Sequence, residues 1–261
     1  MEFRPCIDIH NGKVKQIVGG TLQDFGDTAQ ENFVAEQDST FYAHLYKEAG
    51  IRGGHIILLN KSDSPYYDAT KAQAMAALRA YPGGLQVGGG ITPDNAGEFL
   101  QAGASHVIVT SYVFSDGQVS YGRLERLRES VGKEHLVLDL SCRYLDDDKG
   151  GGYYIVTDRW QKFTNERITL QLLDAFASYC DEFLIHAVDV EGKADGIELP
   201  LVQMLGKWGR IPITYAGGVH CMEDLQQIRT QGKNKLNVTI GSALDLFGGS
   251  MRMKDVLEAC R

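Results

Sequence analysis

The chain has 261 residues, 43% of them hydrophobic and 23% charged. That is ordinary for a folded globular protein and matches the roughly 250 residues of an eight-fold βα barrel. A net charge of −8 and an isoelectric point near 5.4 argue against a nucleic-acid surface, and no apolar run approaches the ~18 residues of a membrane span.

The first residues, Met-Glu-Phe-Arg-Pro-Cys-Ile-Asp, carry no signal-peptide pattern, so a cytoplasmic location is expected. They form a first strand over 3–9 that brings Asp8 to its C-terminal end. Asn11-Gly12 is a strong hairpin turn, which makes Lys13 to Gly20 an extended ribbon over whatever lies at that end. Further strands are predicted over 54–59, 84–88, 106–110, 135–140, 182–187, 211–216 and 237–241. Most are continuous apolar runs, as parallel strands buried on both faces require. Helical patterns over 38–50, 68–80, 93–103, 118–131, 168–180, 197–209, 222–232 and 251–260 alternate with them. Eight such units predict a (β/α)8 TIM barrel in one domain, 1–261, with an open doubly wound sheet as the fallback.

The chain repeats itself. Asp8 matches Asp139 at an offset of 131, Gly90 of Val87-Gly88-Gly89-Gly90-Ile91 matches Gly218 of Tyr215-Ala216-Gly217-Gly218-Val219 at 128, and Thr110 matches Gly241 at 131. This marks a half-barrel internal duplication with halves near 1–132 and 133–261. A single strand-end aspartate is often only a cap or turn former. Asp8, however, precedes a hairpin and not a helix, and Asp139 stands at the equivalent place across the barrel, so the two suit general base and general acid. The acid is expected in the more desolvated site with the raised pKa.

A lone Gly-rich turn is often just a tight turn. Here Gly89 and Gly90, with Thr110 and Ser111 nearby, are repeated by Gly217 and Gly218 with Gly241 and Ser242. Backbone N–H groups free of Cβ atoms at a helix start make an anion cradle, so two phosphates, one per half, are expected. Arg143 to Thr164 breaks the βα rhythm and predicts a lid of two short strands joined by a Gly-rich tip at 146–152. The five cysteines, Cys6, Cys142, Cys180, Cys221 and Cys260, include no Cys-x-x-Cys pair and read as reduced, mostly buried thiols. Tyr42, Leu45, Tyr46 and Ala49, at helical spacing, read as core.

Ile7-Asp8-Ile9-His10-Asn11-Gly12-Lys13, Leu85-Gln86-Val87-Gly88-Gly89-Gly90-Ile91, Val137-Leu138-Asp139, Tyr215-Ala216-Gly217-Gly218 and Ile240-Gly241-Ser242-Ala243-Leu244 together resemble a known family. It is the phosphoribosylformimino-5-aminoimidazole carboxamide ribotide (ProFAR) isomerases of histidine biosynthesis. The likeness spans essentially the whole chain and is nearest the eukaryotic-type form, through His186-Ala187-Val188-Asp189-Val190-Glu191-Gly192 and Ser242-Ala243-Leu244-Asp245-Leu246-Phe247-Gly248-Gly249. The resemblance implies an aldose–ketose isomerase that performs an Amadori rearrangement on a bisphosphorylated substrate, with Asp8 as base, Asp139 as acid and no metal or cofactor. It also implies that Trp160 stacks on the substrate's imidazole carboxamide; packing of the lid hinge is the other reading of that residue. The common bacterial pattern has Arg where this chain has Thr92, and Thr-Asp-Ile then Asp-Gly where this chain has His186-Ala187-Val188 then Glu191-Gly192. His186 is accordingly a candidate binding residue, Asp189 and Glu191 read as loop formers, and His10 and Arg143 adjoin the aspartates.

The nearest rival is the related cyclase subunit of the next pathway step, whose pattern carries a lysine eight residues after its first aspartate. This chain has Gln16 there; Lys15 is one residue off and faces the other way by strand alternation. A non-catalytic phosphosugar-binding barrel is the rival from another class. The expected partner is the small-molecule substrate, with no nucleic acid or membrane, and the expected unit is a monomer.

Overall fold

Period-two alternation gives each short apolar strand one row of side chains toward the helices and one toward the barrel axis. The computed structural model, which describes residues 1–18, 21–22, 25–146, 150–191 and 196–261, shows this arrangement throughout. Eight parallel strands follow in chain order: β1 Cys6–His10, β2 Gly54–Leu58, β3 Leu85–Gly88, β4 Val107–Val109, β5 Leu136–Asp139, β6 Glu182–His186, β7 Ile213–Ala216 and β8 Leu236–Val238. Each pairs with the next, from Cys6 with His55 through Val107 with Leu136 to Ile213 with Leu236. Closure comes from the N-terminus: Arg4 N donates to Val238 O at 2.8 Å and Val238 N to Glu2 O at 3.0 Å. The chain is therefore a (β/α)8 barrel, not the open sheet.

The helices are α1 Ser39–Glu48, α2 Tyr67–Ala80, α3 Pro93–Gln101, α4 Tyr121–Val131, α5 Leu170–Phe176, α6 Leu199–Trp208, α7 Met222–Gln231 and α8 Met253–Cys260. Outward-facing Ile7, Ile9, Val87, Leu138, Phe183 and Tyr215 are buried beneath them together with Tyr42 and Tyr46. Inside the barrel, Glu182 accepts from Gln86 at 3.0 Å and from Thr214 at 2.7 Å and pairs with Arg4. That polar floor satisfies groups whose isolated burial would be costly. Above it lies an apolar layer of Ile57, Ile108, Val137, Leu184 and Ala216.

The Asn11-Gly12 hairpin forms, with both residues left-handed at φ 52° and 73°, as a two-residue type I′ turn requires. Its second strand, Lys13–Ile17, is joined by an unforeseen third, Glu31–Val34. Asn60 pins the turn from the loop after β2, accepting from Asn11 N at 2.8 Å. The lid also has three strands and not two: Cys142–Leu145, Gly152–Thr157 and Lys162–Arg167, antiparallel. α4 starts at Tyr121 and not at 118, because Phe114–Ser115 and Gln118–Val119 form a small hairpin across Asp116-Gly117. Gly20, residues 147–149 of the lid tip and Gly192 lie outside the described residues.

Candidate active site

Strand parity decides which side chains reach the mouth. Asp8 lies two residues beyond Cys6, Thr110 beyond Ile108, Asp139 beyond Val137 and His186 beyond Leu184, so all four extend the inward rows upward. They line one cavity of about 780 Å³, a normal size for a small-molecule site. Gly89, Gly90, Ser111, Trp160, Gly217, Gly218, Gly241 and Ser242 line the same cavity, so every site residue read from the sequence converges there.

The Gly-rich turns are built alike in the two halves. Gly89 and Gly217 have φ 103° and 113°, and Gly90 and Gly218 have φ 68° and 78°. A Cβ on Gly89 would stand 2.1 Å from Leu58 O, and one on Gly217 2.6 Å from Ala187 O; only glycine tolerates both the conformation and the approach. Each turn runs into a helix start closed by a reach-back side chain. Asn95 Oδ1 accepts from Thr92 N at 2.8 Å, and Asp224 Oδ2 accepts from Cys221 N at 3.3 Å. Thr92 thus serves as the cap of α3.

The two aspartates differ in how they are held. Asp139 Oδ1 accepts from Ser141 N and Ser141 Oγ, both at 2.8 Å, and Oδ2 accepts from Thr110 Oγ1 at 2.9 Å. The Thr110 hydroxyl proton is therefore engaged with the carboxylate and is not directed at a phosphate. Asp8 meets the Cys6 thiol and a long contact from Gln16, whose Nε2 donates to Oδ2 at 3.4 Å. Burial raises the pKa of both. Hydrogen bonds to a charged group are worth about 1.5–3 kcal/mol each, and one pKa unit is about 1.4 kcal/mol, so three donors offset much of the burial at Asp139. His186 and those donors lower Asp139, whereas Asp8, further raised by Glu191, is pushed up to about 7. Both carboxyls thus stand above the ordinary range, as burial in one cavity dictates.

Gln16 and Lys15 divide as alternation requires: Gln16 faces Asp8, while Lys15 pairs with Glu31 on the neighbouring ribbon strand. His10 is buried outside the cavity lining, and Arg143 pairs with Asp189 at 2.7 Å, fastening the lid to the loop after β6. Asp189 is thus a lid anchor. The lid turn carries Asp158, Arg159 and Trp160, all left-handed at φ 52°, 56° and 67°, a backbone cost found mostly at functional sites. It spans the mouth: Asp158 N donates to Ser111 Oγ at 3.0 Å, Arg159 Nη1 to Leu59 O at 3.3 Å and Gln161 Nε2 to Leu22 O at 3.1 Å. Trp160 Nε1 donates to Ser141 Oγ at 3.1 Å, and its ring packs with Ile17, Leu22 and Leu59 while lining the cavity.

Several lining residues had no role in the sequence reading. Ser141 orders Asp139; it was legible as the neighbour of a strand-end carboxylate. Buried His55 lies at the base of the cavity, held neutral by burial at a pKa of about 3. Glu191, read as a loop former, turns inward to within 3.0 Å of His186 Nε2; its partner lies on a strand whose geometry the sequence does not display.

Residues 2–251 match the model of a family described as "Histidine biosynthesis protein". A Medicago truncatula protein named 1-(5-phosphoribosyl)-5-((5-phosphoribosylamino)methylideneamino) imidazole-4-carboxamide isomerase, chloroplastic, is 54% identical, the match covering 98% of this chain and 81% of that one. Isomerases of the same name from Neurospora crassa and Saccharomyces cerevisiae are 44% and 42% identical, over 95% and 96% of this chain and 93% and 94% of theirs. On the family match and these identities, the chain belongs to the histidine biosynthesis protein family.

Proposed function

We propose that this protein is the isomerase that converts the bisphosphorylated aminoaldose ProFAR to its aminoketose by an Amadori rearrangement. The observation that carries the reading is the pair of strand-end carboxylates, Asp8 and Asp139, sharing one cavity with two glycine cradles. Asp139 protonates the ribose ring oxygen and opens the furanose to a protonated Schiff base. Asp8 then removes the C2 proton, and the resulting enolamine tautomerises to the ketose, with the iminium nitrogen as electron sink. Thr110 and Ser141 hold Asp139 in place for the first step; a pKa near neutrality suits Asp8 to act as a base near pH 7.

Purified protein given the bisphosphate aminoaldose should isomerise it at the same rate with and without ammonia. No conversion of the aminoaldose, with ammonia-dependent turnover of the aminoketose instead, would favour the cyclase, which Gln16 in place of a lysine beside Asp8 speaks against. Tight binding without turnover would favour the silent barrel.

In this reading each glycine cradle takes one phosphate. Gly90 has open space where a Cβ would stand, so Gly90→Asp inserts charge with little collision, and Ser242→Asp inserts it from another residue of the cavity lining. Asp tolerates a left-handed φ better than most residues. Facing like charges costs several kcal/mol, so KM should rise about tenfold for each 1.4 kcal/mol, with melting temperature little changed. Unaltered KM in both variants would sink the two-phosphate assignment. Gly218 is a poorer test site, since a Cβ there meets Gly196 O at 1.9 Å.

Trp160 stacks on the imidazole carboxamide. Its fluorescence should change on titration with substrate, and Trp160→Ala should lose about 1–3 kcal/mol of binding, the scale of base–aromatic stacking. A lowered melting temperature with unchanged kinetics would assign the residue to hinge packing alone.

A further inference from the structure

His186 stands one inward step above Leu184 at the end of β6 and lines the mouth of the cavity. Its Nε2 is 3.0 Å from Glu191 Oε2, in a pair whose side chains are 15% and 22% exposed. The Trp160 ring stands edge-on to the imidazole, with centroids 4.9 Å apart and planes at 89°.

We propose that Glu191 is a positioning residue for the isomerisation: its carboxylate, in contact with Nε2, holds the His186 ring edge-on to Trp160 at the mouth between the acid and the base. The inference rests on the isomerase reading and deepens it. A carboxylate that takes one nitrogen of a histidine sets both the orientation of the ring and its protonation. Nε2 lies in ion-pair contact with Glu191 without an aligned hydrogen bond, and Nδ1–H is the donor suited to a hydroxyl of the reacting sugar. The charged groups facing His186 are Glu191 on its own loop, Asp139 on β5 and Asp8 on β1, with neutral His55 on β2. Burial opposes the charged imidazole, and the three carboxylates outweigh it, so its pKa stands above the ordinary value. In return, His186 lowers both Asp8 and Asp139, which burial alone would carry further up.

The test uses full-length protein with 15N-labelled histidine, in wild type, Glu191→Gln and Glu191→Asp. The wild-type His186 resonances should titrate above the ordinary value of about 6.5, and in Glu191→Gln below it. Removing the carboxylate that orients a functional histidine costs about 10–100-fold at metal sites; kcat of Glu191→Gln should fall on that order with KM and melting temperature little changed. Glu191→Asp keeps the charge but shortens the reach, and should give intermediate values of both. An unmoved His186 midpoint in Glu191→Gln, or a moved midpoint with wild-type kcat, would overturn the inference. If wild type does not isomerise the aminoaldose, the proposed reaction fails, while the His186 midpoints still decide the pair by themselves.

Discussion

Asp8→Asn should abolish most turnover while leaving substrate bound. Loss of a general base typically costs about 10²–10⁴ in rate. The asparagine keeps the shape of the carboxyl and an oxygen for Gln16, which approaches at 3.4 Å, so melting temperature and KM should stay close to wild type. The pH profile makes the claim sharper. Burial and Glu191 push Asp8 up to about 7, and a base acts only when ionised. Wild-type kcat/KM should therefore fall as pH drops through about 7, since that ratio reports the groups of the free enzyme. The residual rate of Asp8→Asn should lack this acidic limb. Near-wild-type kcat would falsify the assignment, and an acidic limb that persists in the variant would move it to another group.

Asp139→Asn should be comparably slow, about 10²–10⁴, at an earlier step. Its geometry survives: the amide oxygen can accept from Ser141 N and Oγ, and the amide nitrogen can donate to Thr110 Oγ1 in place of the present 2.8 Å and 2.9 Å contacts. What is lost is the proton for the ribose ring oxygen, so the furanose should not open. An open-chain substrate analogue bypasses that step. It should partly rescue Asp139→Asn and not Asp8→Asn, and exchange of its C2 proton with solvent should persist in the first variant alone. Identical behaviour of the two variants toward the analogue would mean that the roles are wrongly apportioned.

How the site was legible differs from residue to residue. Asp8, Asp139 and the two glycine turns could be read directly, because a duplicated chain displays its matched landmarks at a nearly constant offset and strand ends announce themselves by the loss of apolar residues. Gln16 could be placed opposite Asp8 because strand alternation is a local property. The hairpin over Asp116-Gly117 was equally local: both residues are left-handed, at φ 51° and 74°, and an Asp-Gly pair is a strong turn signal. It was absorbed into the helical pattern that follows. The third lid strand and the third ribbon strand carry few apolar residues and are defined by their partners' edges, so periodicity alone does not reveal them.

By itself, then, the sequence determined the βα alternation, the repeat, the inward direction of the catalytic candidates and the glycine-only turns, all set by steric and periodic rules acting within a few residues. Tertiary structure decided the electrostatics. Both carboxyls are raised by burial, against Ser141 and Thr110 donating to Asp139 and Gln16 donating to Asp8, with the charge of Glu191 raising Asp8 further. Whether His186 is charged depends on carboxylates brought to it from β1, from β5 and from the loop after β6. Proton affinity is a sum over burial and charges that meet only when the barrel closes, and no spacing along the chain encodes that sum.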